Sequence, residues 1–155
     1  MYQRILVPVD GSHTSTLGLQ EAIRIALDQR ARLRLVSVVD EYVIAQNFEG
    51  LINAGDMIDA LRESGQKAIR NALALVKKHD LKAEATTFET VGDRVAEVIV
   101  REAKKWKADL IVMGTHGRRG FNRMVLGSDA EGVLRHSPVP VLMVRSPEPR
   151  ARRKK

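Results

Sequence analysis

Residues 109–117 read Asp109-Leu110-Ile111-Val112-Met113-Gly114-Thr115-His116-Gly117, and the pair Gly127-Ser128 follows after nine further residues. A continuous apolar run of this length predicts a strand that is buried on both faces, as in a parallel sheet. The glycines that follow predict a loop at the carboxyl end of the strand, and the serine predicts the start of a helix. This segment therefore indicates an α/β protein.

The same alternation continues on both sides of this segment. Four further strands are predicted, at residues 4–9, 32–39, 82–89 and 138–144. Four helices are predicted between the strands, beginning near residues 14, 57, 92 and 128, and Thr14 or Ser15 is expected to cap the first. Alternating strands and helices predict a three-layer α/β/α domain with a parallel sheet between two layers of helices.

Length and composition limit what the chain can be. Its 155 residues, 44% apolar and 29% charged, match one globular domain, which we expect over residues 1–146. The absence of cysteine excludes disulfides, thiol catalysis, iron–sulfur clusters and cysteine-bound zinc. No run of 18 apolar residues and no signal-peptide pattern is found, so a cytoplasmic protein without membrane association is expected.

The net charge of +7 is concentrated at the carboxyl end. Residues 146–155 contain five basic residues and one acid, and we expect a disordered, solvated basic tail over residues 147–155. A basic tail also suits nucleic acid or an anionic membrane. Aromatic residues make up only 4% of the chain, however, which leaves little material for base stacking. Nucleic acid is therefore not an expected partner.

The glycine-rich segment has the features of a phosphate site. Open α/β sheets bind ligands outside the carboxyl ends of their strands, and a helix N-terminus offers unpaired N–H groups to an anion. Gly114 and Gly117 would let the backbone approach a phosphate, and the hydroxyl of Ser128 would add a hydrogen bond. Two structural alternatives remain open: Ser128 with Glu131 forms the capping-box pattern S-x-x-E, and the glycines suit a simple turn. The spacing matches neither a P-loop nor the Rossmann fingerprint.

The chain resembles the universal stress protein family. The family's nucleotide motif is G-x-x-G, nine residues and G-[S/T], which Gly114, Gly117, Gly127 and Ser128 match in full. The opening segment Ile5-Leu6-Val7-Pro8-Val9-Asp10-Gly11-Ser12, the segment from Ala108 to Gly114 and the segment from Pro138 to Val144 look like the first, fourth and last strands of the family. The resemblance covers about residues 2–146.

The resemblance implies a five-stranded parallel sheet in the order 3-2-1-4-5 and a nucleotide cleft between the first and fourth strands. The complete glycine motif is similar to that of the ATP-binding branch, which implies ATP with Mg²⁺ held through the phosphates. The resemblance implies that the adenosine is bound by Pro8, Val9, Asp10 and the backbone of Val38. It implies that the ribose and phosphates are bound by Gly114, Gly117, Arg118, Gly127 and Ser128.

Asp129 departs from the family pattern, which has a small, apolar or hydroxyl residue after Ser128. An acid in the first helical turn favours the helix dipole, but it repels a nearby triphosphate or helps to hold Mg²⁺. We interpret Asp129 as a helix-start residue. The departure puts phosphate affinity in question and leaves the fold unaffected.

Catalysis has little support in the sequence. The four histidines show no metal-ligand spacing, no G-x-S-x-G elbow is present, and Asp10 has no obvious partner base. His116 lies inside the motif, where we expect it to order the loop. We therefore predict a nucleotide-dependent stress-response switch or sensor; the alternatives are a slow ATPase or phosphotransferase and a partner-binding module without ligand.

The last predicted strand indicates self-association. It lies at a sheet edge and is apolar on both faces, a combination that favours pairing with another chain. The family resemblance points to the same arrangement, a homodimer through Val139, Val141 and Met143.

Overall fold

The computed structural model describes residues 1–41, 54–115 and 126–146. Within these ranges the strands are β1 (Arg4–Pro8), β2 (Arg32–Asp40), β3 (Ala83–Thr90), β4 (Leu110–Gly114) and β5 (Val141–Val144). The helices are α1 (His13–Gln29), α2 (Ala54–Lys77), α3 (Val95–Trp106) and α4 (Ser128–His136). The predicted tail over residues 147–155 lies outside the described residues, and so do residues 116–125, where the sequence predicts a glycine-rich loop.

All five strands form one parallel sheet in the order β3-β2-β1-β4-β5, as the family resemblance implies. β1 pairs with β2 from Arg4 opposite Arg32 to Pro8 opposite Val36, and with β4 through Ile5 and Leu6. The central strands β1 and β4 are the most apolar and the most deeply buried. Burial on both faces explains their continuous apolar sequences.

The sheet separates two hydrophobic clusters. On one face α1 and α2 cover Ile5, Val7, Leu33, Leu35 and Val112. On the other face α3 and α4 cover Leu6, Val36, Ile111 and Met113. Helices thus pack on both sides of the sheet, and the predicted three-layer α/β/α architecture is confirmed. No helix in the described part of the chain is both long and apolar enough to span a membrane.

Most element boundaries differ from the sequence predictions by one to three residues, and two of the differences have a clear physical reason. Ser12, rather than Thr14 or Ser15, is the N-cap of α1, and its side chain accepts a hydrogen bond from the N–H of Ser15. β5 begins at Val141, so Val139 precedes the strand. Pro138 and Pro140 lack the N–H that a sheet hydrogen bond requires, which explains why regular pairing begins only after them.

An ion-pair network lies at the amino ends of the strands. Arg34 on β2 contacts Glu84 on β3 at 2.9 Å and the almost fully buried Glu102 on α3 at 2.7 Å. The contact with Glu102 is an ion pair by distance without the alignment of a hydrogen bond. Arg4 and Arg34 both lie over the ring of Trp106, 5.9 and 5.8 Å from its centroid. Together these contacts fasten α3 to β1, β2 and β3.

We expect Glu102→Ala to lower the free energy of unfolding by about 2–3 kcal/mol, because it leaves the partly buried Arg34 with Glu84 as its remaining carboxylate. Glu21→Ala is the matched control: it breaks an exposed pair with Arg24 one helical turn away and should cost less than about 0.5 kcal/mol. Urea unfolding of both variants measures the difference. Equal losses would contradict a structural role for the buried pair.

Candidate functional site

The candidate site lies where the connections of the sheet change direction. β1 and β4 are neighbours at the centre of the sheet. The helix that follows β1 packs on one face, whereas the helix that follows β4 packs on the other. The two connections therefore diverge above the carboxyl ends of these strands and leave a crevice between them. In open α/β sheets such a crevice is the usual ligand position.

Asp10 shapes one wall of the crevice. Its Oδ1 accepts a hydrogen bond from the N–H of Ser12 at 2.9 Å, and its own N–H donates to Oγ of Ser15 at 3.2 Å. Gly11 between them has a φ of +80°, a conformation that favours glycine. Asp10 is therefore a turn-forming residue, and the same hydrogen bonds fix the carboxylate at the end of β1.

Gly114 allows α1 to reach the end of β4. A Cβ atom on Gly114 would lie 2.6 Å from the carbonyl carbon of Thr14 and 2.9 Å from the nitrogen of Ser15. On the opposite side, a Cβ atom on Gly18 would lie 3.1 Å from the nitrogen of Gly114. The first turns of α1 therefore pack backbone against backbone on β4. This contact is a reason for glycine at position 114 that does not depend on any ligand.

The start of α4 differs from the capping-box interpretation, which is wrong. The N-cap is Gly127, no side chain caps the helix, and Ser128 is already its first helical residue. Glu131, the other member of the expected box, instead pairs with Arg135 at 2.9 Å. The N–H of Gly127 donates to the carbonyl of Thr115 at 2.9 Å, which joins the end of β4 to the start of α4. The hydroxyl of Ser128 is therefore not used as the cap.

The remaining predicted site residues fall into three groups. Pro8 is half-buried and Val9 is buried at the end of β1, where the N–H of Val9 donates to the carbonyl of Val36 at 2.8 Å. Val38 lies near the end of β2, and its half-buried side chain packs on the cluster under α3 and α4. Gly117 and Arg118 lie outside the described residues, as does His116. The structure thus brings the ends of β1, β2 and β4 and the start of α4 to one edge of the sheet.

A charged cluster at the same edge was missed by the sequence analysis. Arg62 on α2 contacts Glu41 at 2.8 Å and Glu89 at 3.2 Å, and Glu41 is buried directly after β2. Burial alone would lower the pKa of Arg62, but the charges of Glu41 and Glu89 outweigh this effect and raise it. The sequence contained a signal for the two acids, because Glu41 directly follows β2 and Glu89 lies near the end of the neighbouring strand β3. No such signal marked Arg62, which lies on a helix well separated from Glu89 in the sequence.

The chemistry that these groups offer is recognition of anions and of polar groups. Over residues 1–41, 54–115 and 126–146, no group of three histidine, aspartate or glutamate side chains is arranged to hold a metal ion. The first turn of α4 presents backbone N–H groups without a side-chain cap, next to the end of β4. Such a helix start attracts a phosphate. The acid Asp129 lies in the same turn and partly offsets that attraction.

Known proteins resemble this chain over almost its entire length. A sequence model described as "Universal stress protein family" matches residues 1–145. Universal stress protein MJ0531 of Methanocaldococcus jannaschii is 36% identical over 151 residues, which cover 96% of this chain and 85% of that protein.

Solved structures agree with the sequence comparison. The crystal structure of a protein from the universal stress protein family of Burkholderia pseudomallei is 35% identical, with a TM-score of 0.75 and coverage of 94% of this chain and 97% of that one. A universal stress protein crystallised in complex with cAMP is 25% identical, with a TM-score of 0.63 and coverage of 93% and 97%.

The packing of Gly114 predicts a loss of stability that is independent of nucleotide. Gly114→Ala places a Cβ atom against the backbone of α1 and should lower the free energy of unfolding by about 1–3 kcal/mol. Gly92→Ala is the control, since a Cβ atom there meets nothing within 4 Å, and it should change stability by less than about 0.5 kcal/mol. Urea unfolding of nucleotide-free protein tests this, and an unchanged Gly114→Ala variant would contradict it.

Proposed function

The chain belongs to the universal stress protein family, and from that membership we propose that it binds an adenine nucleotide in the crevice between β1 and β4. The ligand proposed is ATP, with Mg²⁺ held through the phosphates. The observation that supports this most strongly is the start of α4. A glycine N-cap without a capping side chain lies beside the ends of the two central strands, at the point where an α/β sheet binds phosphates.

Each predicted residue has a defined role in this proposal. Pro8 and Val9 form the apolar wall beside the adenosine, and the carboxylate of Asp10 accepts hydrogen bonds from it. The backbone of Val38 meets the adenine ring at the end of β2. Ser128 donates its hydroxyl to phosphate, because the hydroxyl does not cap α4.

The glycine motif completes the phosphate side. Gly114 sets the position of the strand end, Gly127 leaves the helix start open, and Gly117 with Arg118 contacts the phosphates. When bound, ATP would supply a polyanion, and the backbone at Gly117, the side chain of Arg118 and the start of α4 would hold it. The described residues fit such a group, since the crevice offers helix N–H groups and a hydroxyl on one side and a fixed carboxylate on the other. The relative crystallised with cAMP supports an adenine nucleotide as the ligand class.

We propose a switch or sensor rather than an enzyme. The carboxylate of Asp10 is held by the N–H of Ser12, so it positions a ligand rather than removing a proton from water. The crevice therefore recognises the nucleotide, and occupancy is the signal. Turnover at an ordinary enzymatic rate, about 1–1000 per second, would contradict this proposal and favour the ATPase alternative.

The first test identifies the ligand. Denaturing the purified protein and analysing the supernatant by mass spectrometry should release an adenine nucleotide. Calorimetry on the emptied protein should then give saturable heats with ATP and Mg²⁺. If the protein carries no nucleotide and takes up neither ATP, ADP nor AMP, the proposal is wrong.

Gly127→Asp tests where the phosphates bind. Aspartate is a favoured N-cap, so α4 should keep or gain stability, while its charge occupies the proposed phosphate position. We expect ATP affinity to fall about tenfold or more through like-charge repulsion, and adenosine affinity to change less than about threefold. Unfolding by urea controls for the fold. Equal effects on ATP and adenosine would place the phosphates away from α4.

We also propose a homodimer through β5. This four-residue strand pairs with β4 on one side, and Leu142 is 36% exposed. Val141 and Met143 pack their half-buried side chains on the cluster under α3 and α4, and so does Val139. Pairing of β5 with its copy would extend the sheet by backbone hydrogen bonds and bury the same patch on both subunits.

Leu142→Glu should therefore convert the dimer to a monomer, because it places two charges at the symmetric contact. Val91→Glu, at a residue that is 61% exposed just after β3, at the opposite edge of the sheet, is the control and should leave the dimer intact. Light scattering coupled to size-exclusion chromatography measures both masses. A Leu142→Glu variant that remains dimeric would show that the interface lies elsewhere.

A further inference from the structure

A groove outside the crevice runs between α3 and α4. The two helices approach most closely where a Cβ atom on Gly132 would lie 2.7 Å from that of Ala96. The groove encloses about 310 Å³ and is lined by Ala96, Glu97, Val100, Arg101, Lys104 and His136. None of these residues belongs to the proposed nucleotide site. The volume is at the lower end of the range of small-molecule pockets, about 300–1000 Å³.

The floor of the groove is apolar and one rim is cationic. Ala96 and Val100 are both buried. Arg101 and Lys104 lie three residues apart on α3 and therefore on the same face. Arg101 already pairs with Asp93 at 2.8 Å, whereas Lys104 has no carboxylate partner within the described ranges. Of the two basic residues that line the groove, Lys104 is thus the one available to pair with an anionic ligand.

The other two polar side chains of the groove are oriented by the backbone. Nδ1 of His136 lies 2.9 Å from the carbonyl oxygen of Gly132, which can only accept, so Nδ1 carries the hydrogen. With its hydrogen on Nδ1, the neutral ring has only an acceptor at Nε2, so His136 offers no donor to an anion. Glu97 accepts a hydrogen bond from the N–H of Arg94 at 3.4 Å, which directs its carboxylate toward the start of α3.

We propose that this groove binds a small monocarboxylate with an apolar body, such as a medium-chain fatty acid. The apolar body would cover Ala96 and Val100, and the carboxylate would pair with the ammonium group of Lys104. A polyanion fits less well, because Asp93 and Glu97 offset most of the positive charge and the floor offers no hydrogen bonds. The groove and the crevice are lined by different residues, so we expect the groove to bind its ligand while AMP occupies the crevice.

Octanoate is the probe, titrated into ¹⁵N-labelled protein saturated with AMP, while amide shifts are followed by NMR. Saturable shifts are expected at Ala96, Val100 and Gly132. Octanol, which lacks the charge, should bind about tenfold more weakly.

Two charge-reversal variants on α3 distinguish specific binding in the groove from nonspecific electrostatic attraction of octanoate to the protein. Lys104→Glu should weaken octanoate binding about tenfold or more, while Lys105→Glu, an exposed neighbour that does not line the groove, should leave it within about twofold. Equal losses in the two variants, shifts confined to the ends of β1 and β4, or no saturable shifts would each overturn the proposal. AMP binding is recorded first, and AMP stays present throughout the titration. A failure of octanoate to bind is therefore distinguished from a failure of the proposed nucleotide site to bind AMP.

Discussion

The contact between the first turns of α1 and the end of β4 determines the geometry of the whole carboxyl edge of the sheet. At this point two backbones meet without intervening side chains, because Gly114 faces the main chain of Thr14 and Ser15, and Gly18 faces that of Gly114. The close approach fixes the Asp10 turn, since Ser12 and Ser15 at the start of α1 supply its hydrogen bonds. It also fixes Thr115, whose carbonyl accepts from Gly127 and so positions α4. A widened contact would move both walls of the crevice together.

The two ends of the sheet have different roles. At the amino ends of the strands, Arg34 forms ion pairs with both Glu84 and Glu102 and lies over the ring of Trp106. A buried pair adds little net stability relative to an apolar replacement, but it is costly to break, which fixes how α3 packs on the sheet. At the carboxyl ends, by contrast, the start of α4 has no capping side chain. The amino end thus provides rigidity, and the carboxyl end provides groups for recognition.

The sequence was sufficient for the architecture because strand burial and helix periodicity are local signals. The apolar runs around Ile5 and Ile111 identified the central strands, and the order of strands followed from the family resemblance. Helix starts were less predictable, because several residues can cap and only the path of the backbone decides among them. Ser12 caps α1 through a turn that Asp10 and Gly11 create. The S-x-x-E pattern at Ser128 failed because Gly127 begins the helix and Glu131 pairs one turn onward with Arg135.

The start of α4 shows how recognition and stability are reconciled in one helix. A glycine N-cap is only a few tenths of a kcal/mol poorer than a capping side chain, so leaving the N–H groups available to a ligand costs little. Asp129 and Glu131 in the first turn compensate the positive end of the helix dipole, which stabilises α4 before any anion binds. The same charges oppose a phosphate that arrives later. Acids at these positions therefore favour a helix that is formed without ligand and weaken the binding of an anion at its start, and both properties suit the proposed role of a sensor that responds to the level of a nucleotide.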